Sequence, residues 1–117
     1  MHNEKVNISI ILPSYNESEN LSELIEDIKN NFNKSKYSKS YEIIVVNDGS
    51  TDNTEKLLTP LINNQDNIIL INLKSNVGKA YALDAGIKHA KGNVIATMDS
   101  DLQYKTDDLI KMIDNIY

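Results

Sequence analysis

Four short apolar runs, rich in β-branched residues, punctuate the chain: Val6–Leu12, Tyr41–Val46, Ile68–Leu73 and Val94–Met98. Ile43–Val46 and Ile68–Ile71 are almost continuously apolar rather than alternating. That is the pattern of strands buried on both faces, as in a parallel sheet. Between the runs, apolar residues recur at helical spacing. Leu21, Leu24, Ile25, Ile28 and Phe32 fall on one helix face. Asn16 or Ser18 can cap that helix, with Glu19 three residues after Asn16. A second helical stretch starts at Asp52 and carries Leu57, Leu58 and Leu61, with Pro60 expected to end or kink it. A third carries Ala80, Leu83, Ile87 and Ala90 and is expected to stop at Gly92 as a C′ glycine. A fourth opens near Thr106 with Leu109, Ile110, Ile113 and Ile116. The order β-α-β-α-β-α-β-α predicts an α/β fold: one domain, a parallel sheet and right-handed crossovers. Strand order 3-2-1-4 is expected, as in Rossmann-like sheets.

In open parallel sheets ligands bind beyond the carboxyl ends of the strands. The segments that follow the four strands are therefore the candidate chemistry: Pro13-Ser14-Tyr15-Asn16-Glu17, Asn47-Asp48-Gly49-Ser50-Thr51-Asp52, Lys74-Ser75-Asn76-Val77-Gly78-Lys79 and Asp99-Ser100-Asp101-Leu102-Gln103. With order 3-2-1-4 the carboxylates Glu17, Asp48, Asp99 and Asp101 would converge on one crevice. Such a cluster of like charges needs a cation or many hydrogen-bond donors. Asp99-Ser100-Asp101 can supply the hard oxygens that suit Mg²⁺ or Mn²⁺, which bind through one or two carboxylates plus ligand phosphates. The same residues could equally form a turn that caps the next helix. Asp48-Gly49 reads either as a plain βα turn or as an acceptor for a base or ribose. Gly78-Lys79 reads as a helix start, or as a close backbone approach plus a cation for phosphate. Tyr15 is core filler or a stacking platform for a nucleobase.

Charge and composition narrow the classes. The net charge is −5 and the lysines are scattered, which argues against a nucleic-acid surface. With no cysteine there are no disulfides or thiolate metal sites, which fits a reducing compartment. No apolar run approaches the ~20 residues that span a bilayer, and residues 1–7 lack a signal-peptide core. A cytoplasmic protein is expected, peripheral at the membrane face if it meets a membrane. His2 and His89 are read as structural or solvated.

Taken together, the segments Ile11-Leu12-Pro13-Ser14-Tyr15-Asn16-Glu17, Val45-Val46-Asn47-Asp48-Gly49-Ser50-Thr51-Asp52-Asn53-Thr54, Asn76-Val77-Gly78-Lys79 through Gly92, and Met98-Asp99-Ser100-Asp101-Leu102-Gln103 resemble the motifs of family 2 glycosyltransferases, in that order. The last is most similar to the dolichol-phosphate mannose synthase-like branch, which includes polyprenyl-phosphate glycosyltransferases. The resemblance implies the nucleotide-sugar-binding half of a GT-A fold, a UDP- or GDP-linked donor, and Mg²⁺ or Mn²⁺. It implies that Pro13, Tyr15 and Glu17 line the base and ribose pocket and that Asp48 hydrogen-bonds the base. Asp99 would contact the ribose or the metal shell, Asp101 would bind the metal and Gln103 would join its shell. Gly78 and Lys79 would lie near the base or diphosphate. Asn47 stands where many relatives carry Asp, and Tyr104-Lys105-Thr106 replaces a His-Pro-Pro-like continuation. The implied reaction is inverting transfer to an acceptor such as a polyprenyl phosphate or a growing glycan. The catalytic base and the acceptor-binding half are expected beyond Tyr117. Two rival readings are a catalytically silent nucleotide-sugar-binding module and a flavodoxin- or receiver-type domain. The latter would need a lysine on a fifth strand. A sheet with uncovered edges is expected to pair into a homodimer or to be marginally stable.

Overall fold

The computed structural model describes residues 6–16, 18–49, 56, 58–60, 67–99 and 106–117. Its elements, in chain order, are β1 (Ile8–Ser14), α1 (Ser18–Asn33), β2 (Tyr41–Asn47), β3 (Ile68–Asn72), α2 (Lys79–His89), β4 (Val94–Thr97) and α3 (Thr106–Ile116). Lys56 and residues 58–60 are helical as well. Pro60 is thus within a helical turn, and whether it ends that turn falls outside the described residues, as do Asp52, Glu55, Leu57 and Leu61. Among the described residues no helix is long and apolar enough to cross a membrane.

The strands form one parallel sheet, as the alternation of elements predicts, in the expected order β3-β2-β1-β4. β1 runs two residues further than the apolar run suggests and takes in Pro13. A proline in a central strand removes a ladder donor. Here the β1–β4 pairing ends at Ile11 opposite Thr97, so Pro13 lies where that ladder has already run out. β1 and β2 are buried along their full length, as expected for central strands. The apolar run of β3 does not make it central: it is an edge strand, half-buried over most of its length. β4 alternates half-buried with exposed residues, and Ile95 is open to solvent.

The two faces of the sheet are covered unequally. Ile8, Ile10 and Leu12 of β1 and Ile43 and Val45 of β2 pack with Leu21, Leu24, Ile25, Ile28 and Phe32 of α1, with Leu58 and with Ile113 of α3. Each such buried side chain contributes about 1.5–3 kcal/mol, so α1 is firmly seated. Thr106 Oγ1 donates to Asp27 Oδ2 at 2.7 Å and ties the start of α3 to α1. Tyr37 Oη donates to Asp114 Oδ1 at 2.5 Å, joining the α1–β2 loop to the end of α3. Burial first, then that hydrogen bond and the Asp114 charge, push the Tyr37 phenol up to about 12. On the other face Ile11, Ile44 and Val46 meet Ala82 of α2, with Leu83 and Ala85 alongside. The buried positions of α2 are small, Ala82 and Gly86, so the helix lies close against β1 and β2.

The expected C′ glycine is corrected. α2 ends at His89, and Ala90 turns out in an extended conformation (φ −69°, ψ 136°) with its N–H on Ile87 O. Gly92 lies beyond the helix end and packs against β1. A Cβ there would sit 2.7 Å from Ser9 N, and Gly92 N donates to Ser9 Oγ at 2.8 Å. Ser9 Oγ in turn donates to Glu42 Oε2 at 2.6 Å, which also accepts Lys91 N–H at 2.8 Å. This buried polar knot closes the amino end of the sheet. It makes Gly92 a contact residue rather than a helix terminator.

Candidate functional site

Because the sheet is parallel, Ser14, Asn47 and Asn72 end their strands on one side, with Asp99 following β4 there. Asp48 is the first residue after β2 and is almost completely buried. Its N–H continues the β1–β2 ladder by donating to Ser14 O at 2.8 Å. Its carboxylate turns toward the loop after β3. Val77 N–H donates to Oδ1 at 2.8 Å and Gly78 N–H donates to Oδ2 at 3.0 Å. These are charge-assisted bonds, and they fall just before the first residue of α2. There, unpaired amides and the helix dipole favour an anion. No side chain of α2's own cap residue does this work, since that residue is Gly78.

Several further contacts bind the same two loops. Asn76 Nδ2 donates to Asp48 O at 3.3 Å. Leu73 N–H donates to Asn47 O at 2.9 Å, and Asn47 Nδ2 donates to Asn72 Oδ1 at 3.0 Å. Gly49 turns with φ 68°, and a Cβ on it would fall 2.4 Å from both Asn76 N and Ser75 C. Only a residue without a side chain allows that approach. Gly78 holds φ 101° and ψ 157°, a conformation essentially reserved to glycine, and so aims the chain into α2. The loops after β2 and β3 therefore behave as one piece. Lys79, the next residue, reaches across to the end of β4 and pairs its Nζ with the Asp99 carboxylate. The two side chains are 60% and 38% exposed, so the pair itself is worth only about 0–1 kcal/mol.

The remaining expected residues divide as follows. Pro13 is buried within β1 opposite Val46, and Tyr15 stands 43% exposed just past the strand end. Asn16 follows in the left-handed region at φ 53°. Asn47 is buried and engaged with Asn72. Glu17, Asp101 and Gln103 lie outside the described residues. Among the described residues no three His, Cys, Asp or Glu side chains form a metal-holding group. Mg²⁺ and Mn²⁺ need only one or two carboxylates besides ligand phosphates. Asp99 offers such a hard oxygen and already carries a cation on it, so the donor chemistry present fits a divalent ion.

Residues 9–117 match the family described as glycosyl transferase family 2. The chain belongs to that family. It is 37% identical over 112 residues to undecaprenyl-phosphate 4-deoxy-4-formamido-L-arabinose transferase of Proteus mirabilis (strain HI4320), covering 94% of this chain and 34% of that protein. It is 35% identical over 107 residues to a dolichyl-phosphate beta-glucosyltransferase of Trichomonas vaginalis, covering 88% of this chain and 33% of that one. The chain thus spans about a third of the length of the curated relatives it matches. Among solved structures, S. aureus TarS 1-349 in complex with UDP-GlcNAc superposes with a TM-score of 0.78 at 25% identity, over 95% of this chain and 31% of that one. A mannosyltransferase from Pyrobaculum calidifontis in complex with GDP-Man and Mn²⁺ gives a TM-score of 0.78 at 24% identity, over 95% of this chain and 32% of that one, and shows the fold. The α/β architecture is that of the GT-A glycosyltransferases, as the family motifs imply.

Three features of this candidate site were not visible in the sequence. One is the double capture of the 77–78 amides by Asp48, and another is the ion pair between Lys79 and Asp99. The third is Ser14: its Oγ is buried and has no hydrogen-bond partner among the described residues. A buried hydroxyl left so costs about 1–3 kcal/mol. The serine was legible only as part of the loop after β1.

Proposed function

We propose that the protein acts in metal-dependent, inverting transfer of a sugar from a UDP- or GDP-linked donor to an acceptor such as a polyprenyl phosphate or a growing glycan. The observation that carries this reading is the polar cluster at the carboxyl ends of the strands. There the loops after β2 and β3 are joined through Asp48, and Asp99 enters from β4 beneath a cationic side chain. Membership of the family supports glycosyl transfer. Two relatives are named for transfer to undecaprenyl phosphate and dolichyl phosphate, which favours a lipid-phosphate acceptor and work at the cytoplasmic membrane face. Two structural neighbours hold UDP-GlcNAc or GDP-Man with Mn²⁺, which favours a nucleotide-sugar donor and a divalent ion.

In this reading Pro13, Tyr15 and Glu17 line the base and ribose pocket, with Tyr15 the exposed aromatic face. Asp48 holds the 77–78 amides and can still offer a base its further lone pairs, because each carboxylate oxygen accepts more than one hydrogen bond. Asp99, Asp101 and Gln103 would hold Mg²⁺ or Mn²⁺. When bound, the ion offsets charge on the departing diphosphate. The acceptor oxygen approaches C1 from the side opposite the nucleoside diphosphate. The new C1–O bond forms as the bond to the diphosphate breaks, and the anomeric configuration inverts. A phosphate acceptor is already an oxyanion and needs little help from a base.

The test is titration of UDP- and GDP-sugars with and without Mn²⁺, in the wild-type protein and in Asp101→Asn. Donor binding should depend on Mn²⁺ and weaken by about tenfold or more in the variant, the equivalent of about 1.4 kcal/mol. Binding that ignores both chelator and substitution would overturn the metal-dependent reading.

A further inference from the structure

The Lys79–Asp99 pair is built in a way that an incidental surface contact is not. The backbone that carries Lys79 is fixed from three sides. Asp48 clamps the two preceding amides, Gly49 lies against the backbone of Ser75 and Asn76, and the small positions Ala82 and Gly86 seat α2 close to the sheet. The ammonium therefore extends from a fixed backbone to the carboxyl end of β4. It lies on the carboxylate that the proposed function gives to a divalent ion.

We propose that Lys79 is a resident counter-ion that makes metal and nucleotide binding cooperative. The inference rests on the proposed function and deepens it. Without ligand, the ammonium neutralises Asp99 and competes with any divalent ion for the same oxygen. An exposed pair of this kind is weak, so the contact can yield. A diphosphate entering the crevice offers the ammonium a second anion within reach of its four-carbon stem. Lys79 then leaves Asp99 to the metal and neutralises phosphate oxygen instead. Metal alone takes Asp99 from the ammonium, whereas metal with diphosphate also supplies it with a new anion. Each ligand consequently raises the affinity for the other, and by the same factor, as linkage requires. Lys79 acts here as a positioning and charge-balancing residue and does not touch the bond that breaks.

The experiment measures Mn²⁺ affinity from the free-ion electron paramagnetic resonance signal, with and without UDP or GDP, in wild type, Lys79→Met and Lys79→Arg. Met keeps the apolar stem, and the site is exposed, so the variant should fold. Lys79→Met should bind Mn²⁺ alone about fivefold more tightly, the upper end of what an exposed ion pair contributes. The factor by which nucleotide strengthens Mn²⁺ binding should fall by a similar amount. Lys79→Arg should resemble wild type. Equal Mn²⁺ affinities with unchanged coupling in Lys79→Met would overturn the counter-ion role while leaving metal dependence intact. Absence of Mn²⁺ binding in every protein, with or without nucleotide, would sink the metal-dependent reading itself.

Discussion

Replacing Gly49 with alanine tests the joint between the two crevice loops. The added Cβ would sit 2.4 Å from Asn76 N and Ser75 C, against an ordinary contact of 3.4 Å or more. The backbone segments must then part by about 1 Å, and both atoms are main chain, so no rotamer change relieves them. Overpacking of that kind costs about 1–3 kcal/mol. Forcing an L-residue to φ 68° adds about 1–2 kcal/mol. The expected loss is therefore about 2–5 kcal/mol, a large part of the total stability of a domain this size, which is typically of order 10 kcal/mol. Urea unfolding followed by far-ultraviolet circular dichroism measures it. Two further variants separate the terms. Gly78→Ala carries an even more demanding backbone angle, φ 101°, yet a Cβ there meets none of the described residues within 4 Å. It should cost only the conformational part, about 1–3 kcal/mol. Gly49→Asn accepts the left-handed conformation more readily but keeps the Cβ, so it should remain nearly as damaged as Gly49→Ala. Recovery of stability in Gly49→Asn, or a Gly49→Ala milder than Gly78→Ala, would refute the close-approach reasoning.

Other expectations concern places away from the crevice. Glu42→Ala removes the acceptor of Ser9 Oγ and Lys91 N–H and should destabilise the fold by about 2–4 kcal/mol. Nucleotide affinity should be unchanged, because the knot lies at the opposite end of β1, roughly 17 Å from Ser14; a calorimetric titration with UDP and GDP checks this. Alkaline stability should follow Tyr37, whose phenol rises from 10.0 to about 12 in the folded protein. The folded state then holds the proton more tightly than the unfolded chain. That contribution is complete below pH 10 and is lost as pH climbs toward 12. Urea midpoints should fall over that range, and Tyr37→Phe should flatten the decline. Part of the slope should survive in Tyr37→Phe, because burial also raises the Tyr41 phenol.

Element type and order were written in the linear pattern, because periodicity is local. Buried strands read as apolar runs and α1 as Leu21, Leu24, Ile25, Ile28 and Phe32 at helical spacing. Parallel pairing followed from the βα alternation, and the rule that ligands gather at carboxyl strand ends singled out Asp48, Lys79 and Asp99. Glu42, a carboxylate near the start of the buried β2, was not singled out in the sequence, because its partners lie in distant segments. Composition could not tell a central strand from an edge: β3 is as apolar as β2, yet it lies at the sheet margin and is only partly covered. What tertiary structure alone decided is which polar groups meet. Asp48 binds amides 29 and 30 residues away, and Gly92 meets Ser9 at a separation of 83. Hydrogen bonds of that span depend on how the packed sheet and helices bring distant segments within 3 Å. No local pattern encodes that distance, so a glycine placed like a helix stop proved to be a packing contact, and a loop aspartate proved to be the cap of a helix it does not precede.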